Sequence, residues 1–323
     1  MKHYLNRREF LITSLYTAAG ITLGLKRTLN AESTFKHTLR KALIVDKPSE
    51  EILKKIKDAG FEGLEAGVVS RTEAEKARQI AERLGLRIHS VIRGWAQFNS
   101  SNKAELEKSF DVTIDALVAA KGYGADTILL APGAIDPPAV PRPSEFQIKF
   151  DRTTGHVITV AEKDNENYHD YISAHNHAFE TFQSAIRKLI PMSEKTGVVI
   201  AIENVWNNLF VDPHHMAYFI DSFNSPWVRS YFDIGNHVKY SLPEQWIAIL
   251  GKRIVKCHVK DFKLNSNGHG GSFVNIRQGS VNWPGVCKAL ETIGYNGWMT
   301  IEGSEELSLE EQNRRLDLII AGK

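Results

Sequence analysis

The chain is predicted to be an α/β protein of the (β/α)8 TIM-barrel class, on three observations. From Lys41 onward, short apolar runs alternate with amphipathic stretches, the pattern of repeated strand–helix units. Four runs in the second half each end on a metal-type ligand: Val198 to Glu203, Tyr231 to Asp233, Ile254 to His258 and Trp298 to Glu302. A parallel barrel gathers the C-terminal ends of its strands around one mouth, so these four residues are expected to converge. Length agrees: behind an N-terminal targeting segment, the rest of the 323 residues suits one barrel of about 250 residues plus insertions.

The elements can be justified in order. Asn6-Arg7-Arg8-Glu9-Phe10-Leu11 resembles the twin-arginine export signal, followed by an apolar stretch from Ile12 to Leu25, Lys26-Arg27 and a cleavage site expected after Ala31. The stretch is too short for a comfortable bilayer span. Residues 1–31 are therefore expected to be a removed signal peptide, with the twin-arginine machinery as partner and the periplasm as destination. Lys41 to Val45 is the first strand and Ser49 to Ala59 its helix, stopped by Gly60. Phe61 to Ala66 is the second strand. In the helix from Thr72 to Leu84, residues Ala74, Ala77, Ile80, Ala81 and Leu84 share one face, and Gly85 ends it. Leu86 to Ile92 is the third strand, Lys103 to Tyr123 a long helix closed by Gly124, and Asp126 to Ala131 the fourth strand. The four ligand-ended runs are strands five to eight, followed by helices over Pro213–Phe223, Pro243–Leu250, Pro284–Ile293 and Ser308–Ile320.

One segment breaks the rhythm. Residues 133–170, ahead of a helix beginning near Tyr171, carry Pro137, Pro138, Pro141 and Pro143, then a Val157-Ile158-Thr159-Val160 run suited to a small hairpin. A long loop at the mouth of a barrel is usually functional, so a lid or a subunit contact within a homo-oligomer is expected. The barrel is expected over residues 41–321 with this insertion. An open doubly wound sheet would need a glycine-rich phosphate fingerprint, and none follows a predicted strand.

Composition excludes more than it assigns. The formal net charge is +2, with Lys and Arg dispersed among Asp and Glu, which is no nucleic-acid footprint. Cys257 and Cys287 are the only cysteines, so no disulfide framework holds the fold.

Five segments carry a family resemblance: Gly60-Phe61-Glu62-Gly63-Leu64-Glu65, Ala201-Ile202-Glu203-Asn204, Phe232-Asp233-Ile234-Gly235-Asn236, His258-Val259-Lys260-Asp261 and Gly294-Tyr295-Asn296-Gly297-Trp298 to Glu302. In this order they resemble the signature segments of the xylose isomerase-like barrel superfamily, most closely its sugar phosphate isomerase/epimerase branch. The resemblance covers roughly Lys41 to Ile320. It implies one divalent ion, Mn, Mg or Co, held by Glu203, Asp233, His258 and Glu302. It also implies that Glu203 and Glu302 face each other across the substrate as an acid/base pair.

The residue types support the same chemistry independently. Three carboxylates and an imidazole form a hard donor set suited to Mn²⁺ or Mg²⁺, whereas structural zinc more often takes thiolates. An ion there would acidify the C–H beside a sugar carbonyl by stabilising an enediolate, with one Glu removing a proton and the other supplying one. Any one such carboxylate is more often a helix cap or an ion-pair partner; four at successive strand ends are harder to read that way. His214-His215 and His237 are rival ligands. Substrate contacts are expected from Arg93, Trp95, Asn204, Trp206, Asn236, His237, Lys260 and Arg277, the aromatic faces and polar donors that a polyhydroxylated ring needs. For His89 a structural and a catalytic role stay equally open.

Three departures bear on the reaction. Free-ketose 3-epimerases carry a substrate His three positions after the metal Asp, where this chain has Asn236; Leu209 stands where they have an acidic contact; and Arg277-Gln278-Gly279 replaces a Gly-Glu-Gly pattern. Export adds that phosphorylated sugars belong to the cytoplasm. The expected function is thus a metal-dependent isomerase or epimerase of a non-phosphorylated keto-sugar or sugar derivative. A 3-keto-glycoside lyase or hydrolase on the same residues and a non-catalytic carbohydrate-binding barrel are the alternatives. A nuclease resembling endonuclease IV would need further ligands for three zinc ions and a basic surface.

Overall fold

The computed structural model describes residues 38–323. The twin-arginine motif and the signal peptide expected over residues 1–31 lie outside the described residues. Along the chain run β1 (Leu39–Val45), β2 (Gly63–Gly67), β3 (Arg87–Ala96), β4 (Thr127–Pro132), β5 (Lys149–Phe150), β6 (Val157–Thr159), β7 (Val199–Glu203), β8 (Val228–Asp233), β9 (Ile254–Val259), β10 (Asp261–Leu264), β11 (Gly271–Val274) and β12 (Gly297–Ile301). Between and after them lie α1 (Glu50–Asp58), α2 (Arg71–Arg83), α3 (Lys103–Tyr123), α4 (His169–Thr196), α5 (Pro213–Asp221), α6 (Pro243–Leu250), α7 (Trp283–Thr292) and α8 (Leu309–Ile320). Eight strands close a parallel barrel in the order β1-β12-β9-β8-β7-β4-β3-β2, the TIM-barrel architecture.

Local chemistry sets the helix ends. Ser70 and Glu73 form a reciprocal capping box at the start of α2, the Ser70 hydroxyl accepting from the Glu73 N–H and the Glu73 carboxylate from the Ser70 N–H. Gly124, at φ 70°, closes α3 in a left-handed conformation that costs a β-carbon-bearing residue energy. The helices bury one face against the outside of the barrel, through Leu53 and Ile56, Phe179, Phe182 and Ile186, Phe219, Trp246, Leu290 and Leu316. Each large apolar side chain so buried contributes roughly 1.5–3 kcal/mol, which holds the strand ends in fixed positions. Leu129, Ala201 and Tyr231 form a separate apolar cluster. Ala201 and Tyr231 precede Glu203 and Asp233 by two residues, so strand alternation puts them on the same inward face.

Two segments depart from the simple repeat. The insertion after β4 forms the β5–β6 hairpin and is docked onto α4 and α5: Asn176 makes two hydrogen bonds to the backbone of Val157, and the His215 ring bonds the Gly155 carbonyl at 2.8 Å. The β10–β11 hairpin, by contrast, falls where the sequence pattern indicates only a loop. Each of its strands is four residues long, too short for a period-two pattern to stand out, and the turn-forming run Asn265 to Gly270 joins them. The third strand also runs four residues beyond its expected end, to Ala96, and places Arg93 and Trp95 inside the barrel wall.

Candidate metal centre

The strands β7, β8, β9 and β12 are neighbours in the barrel wall, and each brings one ligand to its C-terminal end. Glu203 and Asp233 are the last residues of β7 and β8, His258 is next to last in β9, and Glu302 directly follows β12. One ligand atom from each of the four lies within 4.8 Å of those of the other three. His258 Nδ1 stands 2.8 Å from Glu302 Oε2, 3.4 Å from Glu203 Oε1 and 3.9 Å from Asp233 Oδ2. Glu203, Asp233 and His258 are buried, and Glu302 is partly so.

The remaining atoms of these side chains are already taken up. Asp233 Oδ1 accepts from the backbone N–H groups of Gly235 at 2.8 Å and Asn236 at 2.6 Å, which turns Oδ2 toward the cluster. His258 Nε2 lies 2.6 Å from Glu65 Oε2, and Glu65 Oε1 accepts from the Ser90 hydroxyl at 2.7 Å. With a proton on Nε2 donated to Glu65, the imidazole offers its Nδ1 lone pair to the cluster, the usual arrangement behind a metal-binding histidine. Glu302 Oε1 accepts from Lys260 Nζ at 2.8 Å, leaving Oε2. Asp233 Oδ2, His258 Nδ1 and Glu302 Oε2 are buried and make no hydrogen bond. Buried lone pairs without partners are costly, so three aimed at one another fit a shared cation.

The charges point the same way. Burial pushes Glu203 and, strongly, Asp233 toward the protonated form, with Glu302 adding repulsion to both. Burial opposes the charged form of His258, but with no metal on Nδ1 the surrounding Glu65 and Glu302 favour it. Glu302 is itself lowered: burial opposes its charge, but the His258 imidazolium and Lys260 outweigh it. Two like charges about 4 Å apart repel by about 4 kcal/mol at a typical effective dielectric of 20. A divalent cation would convert that repulsion among three carboxylates into attraction, and three oxygens with one nitrogen form a hard set it can use.

The substrate contacts expected from sequence divide. Lys260 reaches the cluster directly. Asn204 instead braces it: Oδ1 accepts from the Asp233 N–H at 2.8 Å, and Nδ2 bonds both the Asp233 carbonyl and His237 Nδ1 at 2.8 Å. Asn236 is buried and bonds the Asn204 carbonyl, and Trp206 Nε1 donates to the Asn236 carbonyl. Arg93 does not face the cluster. Its guanidinium is held by Thr113 Oγ1 and the Ser109 carbonyl of α3 and by the Trp95 carbonyl, because at its position the side chain points outward from the barrel. Trp95 is half exposed. Arg277 is exposed, in a left-handed conformation at φ 69°, in the loop before α7.

Two of the rival histidines pack against aromatic rings, and His214 is exposed on α5. His215 packs among Phe150, Phe179 and Phe210, and His237 lies against Tyr240 and Trp246. His89 stacks on Trp298 with centroids 4.5 Å apart and bonds Ser90 and Thr300, a packed position inside the barrel. Sequence reasoning missed Glu65 as a site residue. Its available signal was a lone carboxylate between Gly63 and Gly67 in a five-residue strand, on the face those glycines share.

Comparison with known proteins agrees with the barrel fold. A family model described as xylose isomerase-like TIM barrel matches residues 53–318. An uncharacterized protein of Methanocaldococcus jannaschii is 26% identical over 125 residues, which span 37% of this chain and 41% of that relative, less than half its length. Among solved structures, a D-tagatose 3-epimerase-like protein superposes with a TM-score of 0.66 at 17% identity, over 87% of this chain and 98% of its own. A 3-keto-D-glucoside 4-epimerase from E. coli gives 0.62 at 13%, over 87% and 99%. The IOLI protein, solved with a zinc atom, gives 0.62 at 13%, over 87% and 96%. At these identities the likenesses show a shared fold.

Proposed function

We propose, from the premise that this chain belongs to the xylose isomerase-like TIM-barrel family, that it is a metal-dependent isomerase or epimerase of a non-phosphorylated keto-sugar or sugar derivative. The observation that carries the proposal is the convergence of Glu203, Asp233, His258 and Glu302 with three unpartnered buried atoms among them. These four residues would hold one divalent cation, with Mn, Mg and Co suiting the donor set. Such an ion supplies Lewis-acid stabilisation of the negative charge that builds on the substrate's oxygens when a C–H beside a carbonyl is deprotonated.

The protein's own groups do the rest. Lys260, bonded to Glu302, holds that carboxylate ionised and ready to take the proton. Glu203, buried in the same cluster on the neighbouring strands, is suited to return one. In the reverse direction the roles exchange. Asp233 and His258 position the ion, and Glu65 and Asn204 fix those two side chains. The similar folds of a 3-epimerase-like protein and a 3-keto-glucoside 4-epimerase support sugar carbonyl chemistry as the class.

The test is substrate-dependent incorporation of solvent deuterium, run with Mn²⁺-loaded protein over free and 3-keto sugars. Exchange is expected for at least one sugar, and Glu203→Gln or Glu302→Gln should each lower it by about 10²–10⁴-fold. No exchange across the panel would reject the reaction and favour a non-catalytic carbohydrate-binding barrel. Product mass separates isomerisation, which preserves it, from a lyase, which releases an aglycone.

A further inference from the structure

His89 and Ser90 are consecutive in β3, yet both side chains join one buried hydrogen-bonded chain inside the barrel. The register explains how. Leu64 of β2 pairs with Ile88 but Glu65 pairs with Ser90, so His89 is an extra residue, a β-bulge. A bulge breaks the alternation that would otherwise turn one of the two neighbours outward.

The chain crosses the barrel interior. Ser90 Oγ donates to Glu65 Oε1 at 2.7 Å, His89 Nδ1 lies 3.0 Å from the same hydroxyl, and His89 Nε2 lies 3.1 Å from Thr300 Oγ1. Glu65 Oε2 is 2.6 Å from His258 Nε2, and Thr300 is the register partner of His258 between β12 and β9. All five residues are at most 2% exposed. Trp298 clamps the His89 ring, with centroids 4.5 Å apart and planes 10° apart, which fixes both ring nitrogens. Gly63 makes room for that indole, since a β-carbon there would meet it at 2.5 Å.

The direction of the bonds follows from counting protons. A serine hydroxyl has one, and Ser90 spends it on the Glu65 carboxylate, so toward His89 it can only accept. Burial holds the His89 imidazole neutral. Its single proton therefore sits on Nδ1, and Nε2 accepts from the Thr300 hydroxyl. Every donor in the chain then points toward Glu65, whose two oxygens receive Ser90 and His258.

We infer that the bulged pair His89–Ser90 is a positioning device for the metal centre: His89 sets the Ser90 hydroxyl, Ser90 sets the Glu65 carboxylate, and Glu65 sets His258 Nδ1 toward the ion. This rests on the divalent-cation reading above. It differs from a packing role, in which only the size and flatness of the His89 ring matter.

Two substitutions separate these roles. His89→Phe keeps a flat ring against Trp298 and deletes the N–H to Ser90, whereas His89→Asn loses the ring and keeps a side-chain N–H in the place of Nδ1. In a Mn²⁺ titration of the full chain, His89→Phe should bind about tenfold more weakly, the low end for an outer partner of a ligating histidine, and His89→Asn should bind as the parent does. Ser90→Ala breaks the same chain and should match His89→Phe, and combining the two should cost nothing further. In the metal-free chain, nitrogen NMR of histidine-labelled protein should show His89 protonated on Nδ1 and bare on Nε2. The opposite tautomer, undiminished Mn²⁺ affinity in His89→Phe and Ser90→Ala, or a loss in His89→Asn alone overturns the inference. Where both His89 variants bind weakly, Ser90→Ala decides: a matching loss supports the chain, and parental binding overturns it. A parent that binds no Mn²⁺ sinks the divalent-cation reading and the role of His89 with it, whereas a binding parent indifferent to both breaks refutes this inference alone.

Discussion

Glu65 shows how much of the centre depends on one side chain outside the four ligands. Its carboxylate orients His258 and selects the tautomer that leaves Nδ1 free. Glu65→Gln keeps the shape but removes the charge, and should weaken Mn²⁺ binding by about 10–100-fold in a metal titration while the circular dichroism spectrum stays unchanged. Undiminished affinity would mean that the His258 orientation is set by its neighbours alone. The sequence placed the four ligands because each ends an apolar run. It gave no role to Glu65, because which neighbour a strand-internal carboxylate meets depends on barrel closure: its partner lies 193 positions away. Arg93 was misread for a related reason. A donor after a strand was expected to face substrate, but the strand continues, and its alternation aims the guanidinium at α3.

At the scale of elements, buried histidines make the α4–α5 region acid-sensitive. His175 on α4 and His215 on α5 are held below the ordinary 6.5, at about 3 and about 4, first by burial; His237 after β8 is likewise at about 3. Because these folded values are depressed, the unfolded chain binds protons that the folded chain excludes. Stability is therefore full above pH 6.5 and falls as pH drops toward 4, by about 1.4 kcal/mol per pH unit for each histidine. Urea unfolding of His215→Gln against the parent from pH 7 to 4.5 should give a shallower decline by about that amount, and parallel curves would contradict it. The hairpin offers a second test. Asp261→Ala strands several N–H donors and should cost about 2–4 kcal/mol in the same assay. Elements with long periodic patterns, such as α2 and α3, were legible in sequence. The four-residue strands of the hairpin were not, because so short a segment is stabilised by pairing and by Asp261 rather than by its own pattern.

For the whole molecule, metal binding of the kind proposed would be linked to folding, since the unfolded chain cannot gather Glu203, Asp233, His258 and Glu302. Chelation should lower the melting temperature, and Mn²⁺ or Co²⁺ at about a hundred times its dissociation constant should restore about 2.7 kcal/mol. A melting curve indifferent to chelator and metal would argue against a resident ion. The export expected from the Arg7-Arg8 motif is tested at this scale too: we propose that replacing both with Lys retains the protein in the cytoplasm, read by cell fractionation, whereas an unaltered distribution would remove the periplasmic reading.

By itself the sequence determined the barrel class, the run of strand–helix units and the four residues that converge at one mouth, because alternation, helix stops and strand-end residues are local properties that survive without a partner. Only the tertiary structure decided which way each polar side chain faces, that Glu65 stands behind His258, that Arg93 serves packing, and that Phe273 meets Trp206. Those outcomes follow from barrel closure and strand register, which bring together residues that no spacing along the chain connects.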